Sequence, residues 1–545
     1  MSASETSHDT VDAVIVGAGF SGLYQLHRFR ELGLSSRVFE KGADLGGTWY
    51  WNRYPGARCD VESMSYSYSF STELEQEWSW TEKYPTQPEI LRYLNHVADR
   101  FGLRPDISFD TEVTGVAWDD GIRRWRVTTD RGETVTAQYV VMATGALSVP
   151  KEPEIPGLDR FQGDVYSTAR WPRQEVDFTG RRVGVIGTGS SGIQTIPLVA
   201  RQAADTTVFQ RTPNFSFPAG NRPLTEEEIS ERKANYRQWR EQQRASGFGV
   251  PVEAPTRSAL EVTAEERTAT YQQAWDRGFL TAVLTAFTDS ITSKAANDTA
   301  AEFVREKIRK IVKDPDVAET LSPTDYPIGI KRPCMDTDYY ATFNRDNVHL
   351  VDLRKSPIVE FTEKGVRTTE RAHEFDAVIL ATGFDAITGA LNAVDIRGRD
   401  GVRLADKWKA GPRSYLGIAV AGFPNLFTIT GPSSPTVLSN MIISIEQHVD
   451  FVTDAVKHLR DNGYEAIDPT VEAEDAWVAH VDEVARTTLY PTADTYYNGA
   501  NVPGKPRVFL AYVGGVGAYR DHCDRVVAGG YEGFTLTPDT GSRHA

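Results

Sequence analysis

Cysteine is scarce in this chain. Cys59, Cys334 and Cys523 are its only three in 545 residues, and no two stand in CxxC spacing. That excludes a dithiol–disulfide flavin reductase of the usual type and fits three free thiols in a reducing cytoplasm. Long apolar runs are absent too. None approaches the roughly eighteen residues that a membrane-spanning helix needs, so no membrane partner is expected. Positive charge is in deficit, with 59 Lys and Arg against 75 Asp and Glu and a net charge of −16. A balance this acidic argues against general nucleic-acid binding. His27, His96, His349, His448 and His522 show no metal-ligand spacing, so no metal site is expected. The segment Met1-Ser2-Ala3-Ser4-Glu5-Thr6-Ser7-His8-Asp9-Thr10 lacks a basic region and an apolar core, and no secretory signal is expected from it.

What is present is glycine in two matching places. Gly17-Ala18-Gly19-Phe20-Ser21-Gly22 follows the apolar run Ala13-Val14-Ile15-Val16, and Gly187-Thr188-Gly189-Ser190-Ser191-Gly192 follows Arg182-Val183-Gly184-Val185-Ile186. Each stands between a strand-like stretch and a helix-compatible one. In that setting the first glycine permits a tight turn and the second admits a pyrophosphate. The third lets helix and strand pack closely. The helix N-terminus then presents unsatisfied N–H groups and a partial positive charge to the phosphates. One such pattern is weak, but two point to two dinucleotides and to electron transfer. The strand Arg37-Val38-Phe39-Glu40 ends in an acid eighteen positions beyond Gly22, where a carboxylate meets an unphosphorylated ribose. Its counterpart Thr207-Val208-Phe209-Gln210-Arg211-Thr212 ends in a cation instead. Arg211 suits a 2′-phosphate, so the second nucleotide is expected to be NADPH.

The chain is long enough for two to four domains. The expected fold class is α/β, with two Rossmann-like dinucleotide-binding domains and a helical insertion in the second. Residues 1–145 and 385–545 are assigned to the first domain, 150–222 and 330–384 to the second, and 223–329 to the insertion. Two buried-looking strands, Tyr139-Val140-Val141-Met142 and Ala377-Val378-Ile379-Leu380, each run into Ala-Thr-Gly, at Ala143-Thr144-Gly145 and Ala381-Thr382-Gly383. Small residues there let backbone pass close to a cofactor. The Pro-rich link 149–157 marks a domain crossing. Charge-rich segments between 224 and 318 have helical spacing and read as solvated faces, and a long helix is predicted near 440–460.

Between the glycine motifs lies Gly46-Gly47-Thr48-Trp49-Tyr50-Trp51-Asn52-Arg53-Tyr54-Pro55-Gly56-Ala57-Arg58-Cys59-Asp60. With both motifs and the Ala-Thr-Gly segments, this stretch resembles the type I Baeyer–Villiger monooxygenases over nearly the whole chain. Lys331-Arg332-Pro333, Gly411-Pro412-Arg413-Ser414-Tyr415-Leu416-Gly417 and Asn498-Gly499-Ala500-Asn501-Val502-Pro503-Gly504-Lys505 match the same pattern. The resemblance implies bound FAD, NADPH as reductant, and oxidation of a ketone partner to an ester or lactone by O2 through a flavin C4a-peroxide. It implies FAD contacts from Gly17, Gly19, Ser21, Gly22, Glu40, Thr48, Trp49, Asp60, Tyr66, Val113 and Met441. For NADPH it implies Gly187, Thr188, Gly189, Ser190, Ser191, Gly192, Arg211, Thr212, Lys331, Arg332 and Tyr496. Arg332 would be the catalytic cation, held by Asp60. A guanidinium stays charged at any working pH, and a buried anion needs such a partner. Ala146 and Val437 would line a pocket with room for a bulky ketone.

The chain departs from the pattern at Ser167, where the family has a histidine in Phe161-Gln162-Gly163-Asp164-Val165-Tyr166-Ser167-Thr168-Ala169-Arg170-Trp171-Pro172. Serine is shorter and carries no charge near neutral pH. Tyr496 stands where relatives carry tryptophan, and it keeps an aromatic face. Two other readings stay open here: a monooxygenase acting on nitrogen or sulfur, and an impaired relative that binds FAD and NADPH without turnover.

Overall fold

The structure is a computed structural model and describes residues 9–539. Most of the N-terminal segment read for a leader therefore lies outside the described residues. The run Ala13–Val16 forms the end of the strand Asp9–Val16 and is buried at every position. Burial on both faces removes any reason for alternation, which is why this strand reads as a continuous apolar run. It pairs in parallel with Ser36–Phe39 on one side and with Thr134–Met142 on the other. The sheet extends through Arg124–Thr129 and Val113–Asp119 to Asp395–Arg397, and at the other edge to Ile107–Ser108. Leu426–Thr428 joins it beside Thr134–Met142, so residues beyond 385 return to complete this first unit.

A second sheet repeats the plan with five parallel strands. Their order is Val348–Asp352, Asp205–Gln210, Arg182–Ile186, Ala377–Leu380 and Asp164–Ser167. Each glycine motif thus sits where its central strand gives way to a helix, Phe20–Glu31 in one unit and Ser190–Gln202 in the other. In both units the neighbouring strand is the one that runs into Ala-Thr-Gly. This arrangement sets a cradle at the C-terminal end of each sheet.

Four helices occupy the stretch from 223 to 329: Glu226–Ala245, Ala264–Arg277, Lys294–Ile311 and Pro315–Leu321. Thr225 with Glu228, and Thr263 with Glu266, form capping boxes that start the first two. These helices divide between the two cores. Tyr271, Phe303, Val304 and Ile308 pack against the second sheet, whereas Tyr236 belongs to the core of the first unit. The reading of this region as solvated faces is corrected at Arg240. Its side chain is 3% exposed and pairs at 2.8 Å with Glu75, which is 8% exposed. Arg240 also donates to Ser67 Oγ at 2.8 Å, so a polar seam ties the helix Glu226–Ala245 to the first unit. Burial raises the Glu75 carboxyl pKa, and Arg240 opposes that rise.

Removing one member of a buried pair leaves an uncompensated charge. Arg240→Met is expected to destabilise the protein by about 3–5 kcal/mol, read as a lowered midpoint in chemical denaturation. Adding Glu75→Gln should recover most of that loss. A single variant as stable as the parent would show that the pair does not anchor this helix.

Candidate active site

The first cradle is closed by backbone. A Cβ on Gly22 would lie 1.8 Å from the Gly17 carbonyl oxygen, and one on Gly17, whose φ is +105°, would lie 2.6 Å from the Ala143 carbonyl oxygen. Gly19 caps the helix Phe20–Glu31 with no side-chain bond, so its first N–H groups remain free for a ligand. Beside them the Glu40 carboxylate accepts from the Ala18 N–H at 2.8 Å and the Gly42 N–H at 2.7 Å. Burial raises the Glu40 pKa, and these two backbone donors work against it. Each carboxylate oxygen keeps a lone pair for a ribose hydroxyl.

One cleft runs from this cradle. Gly17, Gly19, Ser21, Glu40, Thr48, Trp49, Tyr66, Val113 and Met441 all line it. Gly22 packs behind its wall, and Asp60 lies off it. Trp49 is held in place by its indole N–H, which donates to Tyr66 Oη at 3.2 Å. Anion-binding amides, a buried ribose acceptor and an aromatic flank suit an adenine dinucleotide carrying an isoalloxazine. Thr111, Ala169, Arg170 and Thr430 line the same cleft. The sequence analysis did not single them out as ligands, because none belongs to a glycine motif.

The second cradle repeats the first. A Cβ on Gly192 would meet the Gly187 carbonyl oxygen at 2.2 Å, and one on Gly187 would meet that of Ala381 at 2.4 Å. Gly189 caps the helix Ser190–Gln202. The Thr188 hydroxyl donates to the Thr212 carbonyl at 3.2 Å, and Ser190 Oγ lies 3.2 Å from Cys334 Sγ. Arg211, at the end of Asp205–Gln210, is exposed and has no ion-pair partner among the described residues. Lys331 donates to the Asp494 carbonyl at 2.5 Å, and Lys151 to that of Asn501. Among the described residues neither lysine meets a carboxylate at ion-pairing distance. Burial lowers the pKa of both and the Arg211 charge lowers each further, against Asp494 at Lys331 and Asp385 at Lys151, which puts Arg211 within charge range of both lysines. Lys151 is a residue the sequence analysis missed. It lies in the Pro-rich link, and its N–H donating to the Gly383 carbonyl at 2.9 Å, with the Thr382 hydroxyl donating to its own carbonyl at 2.9 Å, brings it to the second cradle.

Between the cradles stands an ion pair. Arg332 Nη2 donates to Asp60 Oδ1 at 2.5 Å, with the side chains 26% and 14% exposed. Burial acts against the Arg332 charge, yet the Asp60 carboxylate together with Tyr496, Tyr497 and Cys334 outweighs it and holds the pKa above the ordinary arginine range. Asp60 is fixed from the opposite unit. Gln194, on the helix Ser190–Gln202, donates to the Arg58 carbonyl at 3.1 Å and accepts from the Tyr54 hydroxyl at 2.9 Å. Gly56, at φ +83°, passes so close that a Cβ would lie 2.5 Å from the Gln194 carbonyl oxygen. Tyr54 is therefore part of the junction.

Tyr496 lies close enough to Arg332 for their charges to interact, and burial raises its phenol pKa to about 12. Ala146, Val437 and Tyr496 share one apolar cluster with Ile330, Tyr490 and Tyr497. Ser167 does not reach across the units. Its hydroxyl accepts from the Ala169 N–H at 3.3 Å, whereas Thr168 Oγ1 lies 3.0 Å from Ser191 Oγ. The segment 161–172 thus touches the second cradle through Thr168 and the first cleft through Ala169 and Arg170.

Comparison with known proteins gives consistent relatives. A pyridine nucleotide-disulphide oxidoreductase family model matches residues 14–263. A Baeyer-Villiger monooxygenase of Pseudooceanicola batsensis is 45% identical, covering 95% of each chain. An acetone monooxygenase (methyl acetate-forming) of Gordonia sp. is 42% identical over 97% of this chain and 100% of that protein. A phenazine N-monooxygenase of Lysobacter antibioticus is also 42% identical, over 97% and 98%. Among solved structures, an oxidized steroid monooxygenase bound to NADP has a TM-score of 0.94 and 53% identity, covering 97% of this chain and all of that one.

The second cradle leaves no space at Gly192. Gly192→Ala is expected to shift the helix start and weaken NADP+ binding by at least about tenfold, about 1.4 kcal/mol, measured by calorimetry, with FAD retained. Unchanged affinity would mean that the cradle does not hold the nucleotide.

Proposed function

The chain belongs to the Baeyer–Villiger monooxygenase family of flavoproteins, and from that premise we propose the division of labour among its residues. It is an FAD- and NADPH-dependent monooxygenase that converts ketones to esters or lactones with O2. The observation that carries this reading is the Arg332–Asp60 pair between two dinucleotide cradles. FAD, reduced by NADPH, supplies the electrons and the activation of O2. Gly17, Gly19, Ser21, Gly22, Glu40, Thr48, Trp49, Tyr66, Val113 and Met441 hold it, with Asp60 at the edge of that site. Gly187 to Gly192, Thr212 and Tyr496 hold NADPH, and Arg211, Lys331 and Lys151 take its 2′-phosphate. Arg211 repels both lysines, a repulsion that Asp494 and Asp385 offset only in part, and a dianion would relieve it, which favours the phosphorylated nucleotide.

Arg332 is the catalytic cation. Attack on a ketone carbon moves negative charge onto the carbonyl oxygen. A fixed guanidinium close to that oxygen stabilises the transition state more than the neutral ketone. Asp60 fixes the guanidinium and keeps it protonated. Exclusion of water from the site would protect the reacting oxygen from loss as hydrogen peroxide. Small side chains at Ala146 and Val437 support a bulky ketone as substrate. Three buried free thiols support residence in a reducing cytoplasm, and among the described residues no helix is long and apolar enough to cross a membrane. Oxygenation of nitrogen or sulfur has less support, resting on the phenazine relative, and stands as a second activity of the same site.

The direct test is FAD-loaded protein with NADPH, O2 and a panel of cyclic, aryl and steroid ketones, with products identified by mass. Ester or lactone in near-stoichiometric yield with NADPH is expected; oxidation confined to amines and sulfides would overturn the ketone reading. Arg332→Ala should still be reduced by NADPH but lose about 10²–10³ in ester formation, and a parental ester yield would remove Arg332 from the mechanism. Arg211→Ala, Lys331→Ala and Lys151→Ala should each raise KM for NADPH about tenfold while leaving NADH within about twofold. Equal losses with both nucleotides would count against the phosphate assignment.

A further inference from the structure

The segment from Leu416 to Thr436 carries unusual backbone. Leu416, Asn425, Thr430, Ser433 and Thr436 all have left-handed φ, between 35° and 72°, although none is glycine. All five are buried. Such residues persist only where the surroundings over-determine them, and they gather at functional sites. Here the segment leaves the strand Leu426–Thr428 and passes along the first cleft, which Thr430 lines.

The side chains that hold two of these residues form one chain of hydrogen bonds. The Thr430 N–H donates to His448 Nδ1 at 3.0 Å. His448 Nε2 lies 2.7 Å from the Tyr519 oxygen. The Tyr519 hydroxyl donates in turn to the Leu416 carbonyl. With that proton committed to Leu416, Tyr519 can only accept from His448, so Nε2 carries the imidazole proton and Nδ1 is bare to receive Thr430. No other tautomer satisfies the set. His448 and Tyr519 are both fully buried. Burial pushes the imidazole pKa down to about 3, which keeps Nδ1 an acceptor at any working pH. The two backbone ends of this relay, Leu416 and Thr430, are both left-handed residues.

We propose that His448 is a positioning residue for the flavin: with Tyr519 behind it, it clamps the left-handed Thr430 turn against the cofactor cleft. This rests on the reading that the cleft holds FAD. Two further observations support it. The Thr430 hydroxyl is buried and has no partner among the described residues. A polar atom of the bound cofactor is the partner that its place on the cleft wall offers. Met441 and Ile445, also on the cleft wall, share the helix Met441–Asn462 with His448, so one rigid element carries both the wall and the clamp.

The test uses the full-length protein, stripped of FAD and titrated with it, with flavin fluorescence giving Kd and the visible spectrum reporting the ring's surroundings. His448→Leu is expected to raise the FAD Kd at least tenfold and shift the flavin bands, while NADP+ affinity measured by calorimetry stays within twofold. His448→Asn, which keeps an acceptor near the Nδ1 position, should recover most of the binding. Tyr519→Phe, which frees the Nε2 proton, should shift the spectrum in the same direction as His448→Leu. A folded His448→Leu with parental Kd and spectrum would overturn the proposal, as would equal losses in the Leu and Asn variants, which would mean core packing alone. If His448→Leu does not fold, Tyr519→Phe decides, and a parental spectrum and Kd there would overturn it. A parent protein that binds no FAD would sink the cofactor reading itself, an outcome distinct from all of these.

Discussion

The ion pair between Arg332 and Asp60 joins positions 272 residues apart and belongs to neither dinucleotide unit alone. Its enclosure makes it demanding, because a guanidinium withdrawn from water costs free energy unless a carboxylate accompanies it. Asp60 can accompany it only if the loop 53–60 stays docked on the helix of the opposite unit. Gln194, Tyr54 and the close passage at Gly56 provide that docking. A single charge pair therefore spans the two dinucleotide units and fixes the direction of the guanidinium.

Rigid backbone supports this geometry on both sides. The motif glycines are tight because carbonyl oxygens occupy the space that any side chain would take, and the same carbonyl contacts appear in both units. The first cleft adds a different device, a run of left-handed residues held by Tyr519 and His448. Side chains from the helices Met441–Asn462 and Val516–Ala528, which complete the first unit, thus support the wall of that cleft. The helix Glu226–Ala245 serves a comparable purpose: its buried Arg240 ties residues from the middle of the chain to the first unit, while its neighbours pack on the second.

The three cations at the second cradle show how recognition can be distributed. Arg211 ends a strand, Lys331 precedes the catalytic arginine, and Lys151 lies in the crossing between units. Lys331 and Lys151 donate to carbonyls of the segment from 494 to 501, which also carries Tyr496. The residues proposed to discriminate the nucleotide are thereby tied to the segment that carries the aromatic ring beside Arg332.

Much of this was legible in the sequence for a physical reason. Glycine motifs, continuous apolar strands, the Glu40 and Arg211 strand ends and the capping boxes are local requirements, met within a few residues of one another. Each leaves its mark directly in residue order. By itself the sequence determined two nucleotide units, and the family resemblance it carries paired Arg332 with Asp60. Tertiary structure alone decided that Lys151 joins Arg211 and Lys331, that Arg240 is buried against Glu75, that Thr168 rather than Ser167 reaches the second cradle, and that His448 braces Thr430. These contacts join segments distant along the chain, and the order of residues does not state which surfaces two packed units turn toward each other.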